Sequence, residues 1–338
     1  MELPMPIADA GMAEFRGNNQ AFATEKPTPR KLKLWGQRLL TFIFLALVVW
    51  LLTDHAQRTD WGAVKAALAT YSLPHILLGC VFSAGAYLAY ASYDLFGRYY
   101  VRHGISVPGT MMIAFICCAF TLNLGALIGS LGFRYKLYSQ RGIKKGDIAH
   151  IVGMSLTTNW LGYGLLAGIA FITGSIVVPF GWAESGVALN VLGALLIAVV
   201  LVYWGLCLFA NKRFWSIRGQ IITLPSIQIA VLQILASSAH WLFMGAVIFV
   251  FLYPEVGYFE LLGVLLISAI AGIITHVPGA LGVLEAVFLA LLSDTVDPAR
   301  LLAALIAYRA VFYLLPLSVA VAAYGLNEIS VKRMRKGR

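Results

Sequence analysis

Glu285 and Arg309 both stand inside long apolar sequence, where a charge needs a reason. Arg309 lies within 301–324 (LLAALIAYRAVFYLLPLSVAVAAY), about 12 Å along that helix at 1.5 Å per residue. A guanidinium at such depth costs from about 2.5 to more than 10 kcal/mol unless it is paired or hydrated. Three roles answer that cost: snorkelling to the interface, a structural ion pair, or a site that holds an anionic group. Glu285 is the expected partner. It follows Pro278, Gly279, Ala280, Leu281 and Gly282 by three residues, in the first turn of a returning helix. The N–H groups there favour a carboxylate. They would equally suit a phosphate, so resting-state pairing and exchange for a lipid phosphate are compatible.

These residues sit beside one of two breaks in the apolar pattern. Stretches 123–132 (NLGALIGSLG) and 276–285 (HVPGALGVLE) place glycine, proline and polar residues inside otherwise continuous hydrophobic sequence. Irregular backbone at membrane depth is tolerated only where protein or a wet cavity receives it. Each stretch therefore reads as the tip of a re-entrant or broken helix, a common location for transporter sites. The first tip offers Asn123, Gly125 and Gly129, then Arg134 and Lys136 at the expected cytoplasmic mouth. Glycines at this spacing serve close helix packing or backbone contact with a ligand. Arg134 and Lys136 could collect anionic headgroups or act as topology anchors. The run lacks the Gly-Lys-Ser/Thr ending of a nucleotide-binding loop, which argues against ATP.

The elements that must position these residues follow from composition. The chain has 338 residues, 60% hydrophobic and 12% charged, with mean hydropathy +0.83. That excess of apolar surface identifies a polytopic α-helical membrane protein. A net charge of +10 could suggest nucleic acid, but the basic residues fall in short loops between apolar runs. There they set topology and meet lipid headgroups, so no nucleic-acid partner is expected. Cys80, Cys117, Cys118 and Cys207 all lie in apolar stretches without a Cys-x-x-Cys spacing, and are read as packing residues. No metal or other cofactor is expected.

Charge then selects a topology. Apolar runs fall near 36–53, 72–93, 107–132, 148–172, 187–210, 224–252, 257–292 and 300–325. Taken as eight plain spans, they export the basic loops 134–145 and 212–218, against the positive-inside rule. If 107–132 is a hairpin entering from the cytoplasm and 257–292 one entering from outside, 21 of the 25 Lys and Arg residues are internal. The expectation is six full spans plus two opposed re-entrant hairpins, the arrangement of an inverted repeat. The tips share a weak Gly-Ala-Leu-x-Gly likeness. Residues 1–35 are expected to be a disordered cytoplasmic tail, 36–328 the transmembrane domain, and 329–338 a basic cytoplasmic tail. Residues 36–53 lack a signal-peptide cleavage site and should remain as the first span.

Other polar residues carry less. Asn159, His240 and His276 could line a cavity or simply bond between helices. Asp94 and His150 fall near span ends and read as interfacial, and Tyr87, Tyr90, Tyr93, Tyr99 and Tyr100 as an aromatic belt. No His-Glu-x-x-His, paired aspartates or Gly-x-Ser-x-Gly is present, which counts against intramembrane catalysis.

The residues 123–125 (NLG) through 132–134 (GFR), then 278–286 (PGALGVLEA), then Tyr308 and Arg309 ahead of Pro316, resemble the lysylphosphatidylglycerol synthase transmembrane-region family. Within it the likeness is strongest to short bacterial inner-membrane proteins of YbhN type, and it covers most of 36–328. Ala280 stands where that family usually has a second glycine. The resemblance implies a flippase-type unit that moves a phospholipid or lipid-linked anion without ATP, in a bacterial inner membrane with both termini cytoplasmic. It implies substrate contacts from Asn123, Gly125, Gly129, Arg134, Pro278, Gly279, Gly282, Glu285, Tyr308 and Arg309. In the larger relatives a soluble aminoacyl-transferase domain makes the lipid; the chain ends at Arg338 without one, so synthase activity is not expected and a lipid-synthesis enzyme could be a partner. An intramembrane enzyme of lipid or polyprenyl phosphate, or a non-transporting envelope-assembly partner, remain the alternatives.

Overall fold

The computed structural model describes residues 60–125, 127–174, 185–210, 214–217, 220–275 and 277–336. The first expected span, 36–53, both chain ends, His276 and the basic residues Lys212, Arg213 and Arg218 lie outside the described residues.

Helices dominate. A short α1 (Trp61–Ala69), capped by Asp60, leads to α2 (Leu73–Ala91) and α3 (Tyr93–Val101), which run on as a 29-residue apolar segment. Helix α4 (Val107–Leu124) breaks at Gly125, and a π-helical turn (Leu127–Gly132) leads into α5 (Phe133–Ser139). Long helices α6 (Lys145–Ile172), α7 (Ser185–Phe209) and α8 (Ile227–Leu252) follow, with a small antiparallel ribbon of β1 (Phe214–Ile217) and β2 (Gln220–Thr223) between the last two. Helix α9 (Tyr258–Thr275), a 3-10 turn (Pro278–Ala280) and α10 (Val283–Leu292) come next. The final rod comprises α11 (Pro298–Tyr308), a π-helical turn (Arg309–Leu314) and α12 (Leu315–Lys336). Its helical backbone continues through the basic residues expected to form a separate tail.

Among the described residues six helices are long and apolar enough to cross a membrane. Four of them fall on spans expected from sequence, near 72–93, 187–210, 224–252 and 300–325. The set includes Val107–Leu124 and Tyr258–Thr275, the first legs of the two interrupted runs, and leaves out α6. Helix α6 is diluted by glycine, threonine and asparagine, and its many buried residues explain why it can be: α3, α7 and α8 cover it. At its crossing with α8 a Cβ on Gly162 would lie 2.3 Å from the Ser237 hydroxyl oxygen, so only glycine permits that approach.

Both interrupted runs fold back on themselves. In the first, a Cβ on Gly129 would fall 2.1 Å from the Thr121 backbone nitrogen, and Phe120 stacks on Phe133 with ring centroids 4.1 Å apart. In the second, α10 returns along α9, and Gly272 faces the Ala280 methyl so closely that an added Cβ would come within 2.9 Å. The feet of the two hairpins lie at opposite ends of the last rod. Arg300, near its start, pairs with Glu255 and reaches Thr70, beside the feet of the second hairpin. Asn327 and Glu328, toward its end, bond Arg141 and Gln140 at the foot of the first. At 1.5 Å per residue those two groups are separated by roughly 40 Å, enough for the ~30 Å hydrocarbon core.

Candidate functional site

The tip of the second hairpin is built from unusual backbone. Gly279 and Gly282 have φ of 66° and 79°, left-handed values that glycine adopts without cost. Ala280 between them takes φ 46°, where a Cβ costs about 1–2 kcal/mol. Gly282 then starts α10, and its N–H donates to Glu285 Oε2 at 2.9 Å, so the carboxylate closes the first turn of the returning helix.

Arg309 binds this tip with almost its whole guanidinium. Nε donates to Glu285 Oε1 at 2.5 Å and Nη2 to Glu285 Oε2 at 3.0 Å, a bidentate pair. Nη1 donates to the Gly279 carbonyl at 3.0 Å and Nη2 to the Ala280 carbonyl at 3.1 Å. The Tyr313 ring lies beneath, its centroid 5.1 Å from Cζ. Four of the five donors are thereby used, and both charged side chains keep 15% of their surface exposed. The pair is a true ion pair at the edge of the protein interior, not a snorkelling cation.

The first hairpin meets the second at this point. A Cβ on Gly279 would come within 3.4 Å of the Leu122 carbonyl and 3.6 Å of the Asn123 carbonyl. Asn123 Nδ2 bonds the Ala119 carbonyl at 2.8 Å and reaches the Tyr313 carbonyl at 3.5 Å. Gly125, with φ 87°, ends α4 just beyond. Asn123, Gly279, Gly282, Glu285 and Arg309 thus gather around the two tips, with the Pro278 backbone in the turn. Tyr308 points inward instead: it is fully buried and stacks on Phe312. Gly129 serves packing against α4.

Arg134 is elsewhere, and it is not at an exposed mouth. It is wholly buried against an equally buried Asp94, with Nε and Nη2 bonding the carboxylate at 3.0–3.2 Å. Nη1 also donates to Ser130 and Nη2 to Ser155 and Tyr90, and Tyr138 donates to Asp94 Oδ2 at 2.9 Å. Asp94 is therefore shut away from solvent and not an exposed span-end charge, and Tyr87 and Tyr93 are buried core residues, leaving Tyr99 as an exposed member of the expected belt. Lys136 is half exposed and pairs with Glu328 at 3.0 Å and with the Tyr324 hydroxyl. Those two groups hold its pKa above the ordinary lysine value. His240 is buried, its Nδ1 2.9 Å from the Ala86 carbonyl. No group of three or more metal-ligating side chains occurs among the described residues.

The helical bundle, its broken helices and the charge pair at their tips define a multi-pass membrane protein. Residues 38–320 match the family described as the lysylphosphatidylglycerol synthase TM region, and the chain belongs to that family. It is similar to the inner membrane protein YbhN of Escherichia coli (strain K12), 41% identical over 301 residues, 89% of this chain and 95% of that protein. It is also similar to the protein slr0712 of Synechocystis sp., 25% identical over 253 residues, 74% of this chain and 78% of that one.

Proposed function

We propose that the protein resides in the bacterial inner membrane and translocates a phospholipid or lipid-linked anion between leaflets without ATP. On this reading the two helical hairpins are re-entrant and enter the bilayer from opposite faces, with both termini cytoplasmic. The observation that carries it is the placement of Arg309. A permanently charged group, 15% exposed, closes the junction of two broken-helix tips and is held by an acid and two carbonyls that an anion could replace. A headgroup phosphate would compete with Glu285 for the guanidinium, and bidentate recognition suits either ligand. Glu285 would then hold the cation between cycles, so the empty site is not left with an unpaired charge.

The test is lipid flipping in proteoliposomes, followed with headgroup-labelled lipids and quenching of the outer leaflet. Wild type should equilibrate label across the bilayer and folded Arg309→Ala should not. Equal rates in the two proteins would remove Arg309 from the mechanism. Absence of flipping for both anionic and zwitterionic lipids would overturn the translocase reading.

A further inference from the structure

The π-helical turn Arg309–Leu314 is not an isolated irregularity, because other elements hold it in place. Its wide hydrogen bonding is explicit at the end, where the Leu315 N–H donates to the Ala310 carbonyl five residues back. Three successive carbonyls within it accept side-chain donors from other helices: Val311 from Ser83 Oγ at 3.2 Å, Phe312 from the Tyr87 hydroxyl at 3.1 Å, and Tyr313 from Asn123 Nδ2 at 3.5 Å. Ser83 and Tyr87 lie one turn apart on α2 and are both buried. These carbonyls need such donors, since a π turn splays them and Pro316, four and five residues beyond Phe312 and Val311, brings no N–H to either.

The inserted residue decides which way the rest of the rod faces. At about 100° per residue, a regular α-helix from Arg309 to Glu328 would put their side chains about 100° apart around the axis. With one residue absorbed by the π turn they fall on nearly the same face. Each end of the rod holds a different hairpin: Arg309 grips the second through Glu285 and the Gly279 and Ala280 carbonyls. At the other end, Glu328 and Asn327 grip the first hairpin through Lys136, Gln140 and Arg141.

We infer that Ser83 and Tyr87, with Asn123, are positioning residues. By capping the π-turn carbonyls they hold the register that lets one helix engage both hairpins at once. The inference rests on the translocation reading for its functional consequence, but not for its structural one. It ties hairpin 1 and hairpin 2 to one rod through a single register.

The experiment uses a cysteine-free background with Gln140→Cys and Glu328→Cys, and a short bifunctional thiol reagent as the register probe. The parent should cross-link readily. Adding Ser83→Ala and Tyr87→Phe should lower cross-linking several-fold in the folded, monodisperse fraction. In the chain with native Gln140 and Glu328, the same two substitutions should lower flipping several-fold. Deleting Ala310, an exposed residue of the turn, removes the inserted position and should restore both. Tyr87→Phe alone supplies a milder variant should the pair fail to fold, and it should lower cross-linking in the same direction. Unchanged cross-linking in these variants, or no restoration on deleting Ala310, overturns the inference. A wild-type protein that flips nothing but whose cross-linking follows this pattern would overturn the translocase reading and leave the register mechanism standing.

Discussion

Glu285 binds in two directions at once: one carboxylate oxygen accepts the N–H that opens its own helix, and both accept from Arg309 on the rod that follows. The same group therefore caps a helix and neutralises a cation. Glu285→Gln should lower stability by about 1–3 kcal/mol, the usual cost of leaving a buried polar partner unsatisfied. Arg309→Lys should lose most of the tip contacts despite keeping the charge, because an ammonium cannot span four acceptors in one plane. Thermal unfolding in detergent, compared with flipping rate, separates the two roles. A fully active and fully stable Arg309→Lys would contradict this assignment.

Reversing the pair, as Glu285→Arg with Arg309→Glu, restores the opposite charges but moves the cation onto α10. Folding should recover relative to either single change, and translocation should not. Full activity in the reversed protein would show that an anion site at position 309 is not required.

Ala280 and Gly272 should behave as a compensating pair. Gly272→Ala places two methyl groups within 2.9 Å and should destabilise the second hairpin. Ala280→Gly removes the facing methyl and relieves the left-handed backbone, a gain of about 1 kcal/mol. The double variant should unfold close to wild type. Simple additivity of the Gly272→Ala loss and the Ala280→Gly gain, read from melting curves, would disprove the contact.

The Asp94–Arg134 pair predicts a different outcome from the tip pair. Asp94→Asn leaves a buried guanidinium short of its counter-charge and should cost about 3–5 kcal/mol. Replacing both, as Asp94→Leu with Arg134→Met, should recover much of that loss, since two well-packed apolar side chains avoid the desolvation of two ions. The measurement is the melting temperature of purified protein for each variant. A double variant less stable than Asp94→Asn would mean the network contributes more than its own repair.

His103 gives a pH dependence with a defined sign. It lies in the loop after α3, nearly buried, with Nδ1 accepting the Ile105 N–H, so its neutral form is the one that fits. Burial first, and Arg98 second, lower its pKa from 6.5. The unfolded chain then binds more protons as pH falls through 6.5, and stability should decline from pH 7 toward pH 5. His103→Gln should flatten that decline. A wild-type stability curve without a slope in this window would refute the assignment.

The two breaks were legible in the sequence because glycine and proline inside apolar runs admit few other readings. Glu285 and Arg309 were legible for a related reason: charges at membrane depth are rare enough to suggest each other. Asp94 and Arg134 were misread because both sit at the ends of apolar runs, where charge normally marks an interface. Their partnership depends on α5 folding back along α4 and α6 so that Arg134 reaches Asp94 on α3, a tertiary fact that no spacing records. The first π turn falls within the legible 123–132 break, and the second was marked only by Pro316 just beyond it. Arg309–Leu314 contains ordinary helix formers, and the donors that sustain it come from Ser83 and Tyr87 more than two hundred positions earlier. Tyr87 read as part of an aromatic belt for that reason.

Helix α6 bears on how the chain is built. Its middle carries Thr157, Thr158 and Asn159, so it gains less by partitioning alone into lipid than an unbroken apolar helix would. Its neighbour α7 is the opposite, the most apolar of the six candidate spans and the least enclosed. The two pack through Gly168 and Gly193, each with the other's carbonyl oxygen within 2.9 Å of where a Cβ would stand. Entering the bilayer as a joined pair would let α7's backbone cover part of α6 from the start, where α6 alone would meet lipid on that face.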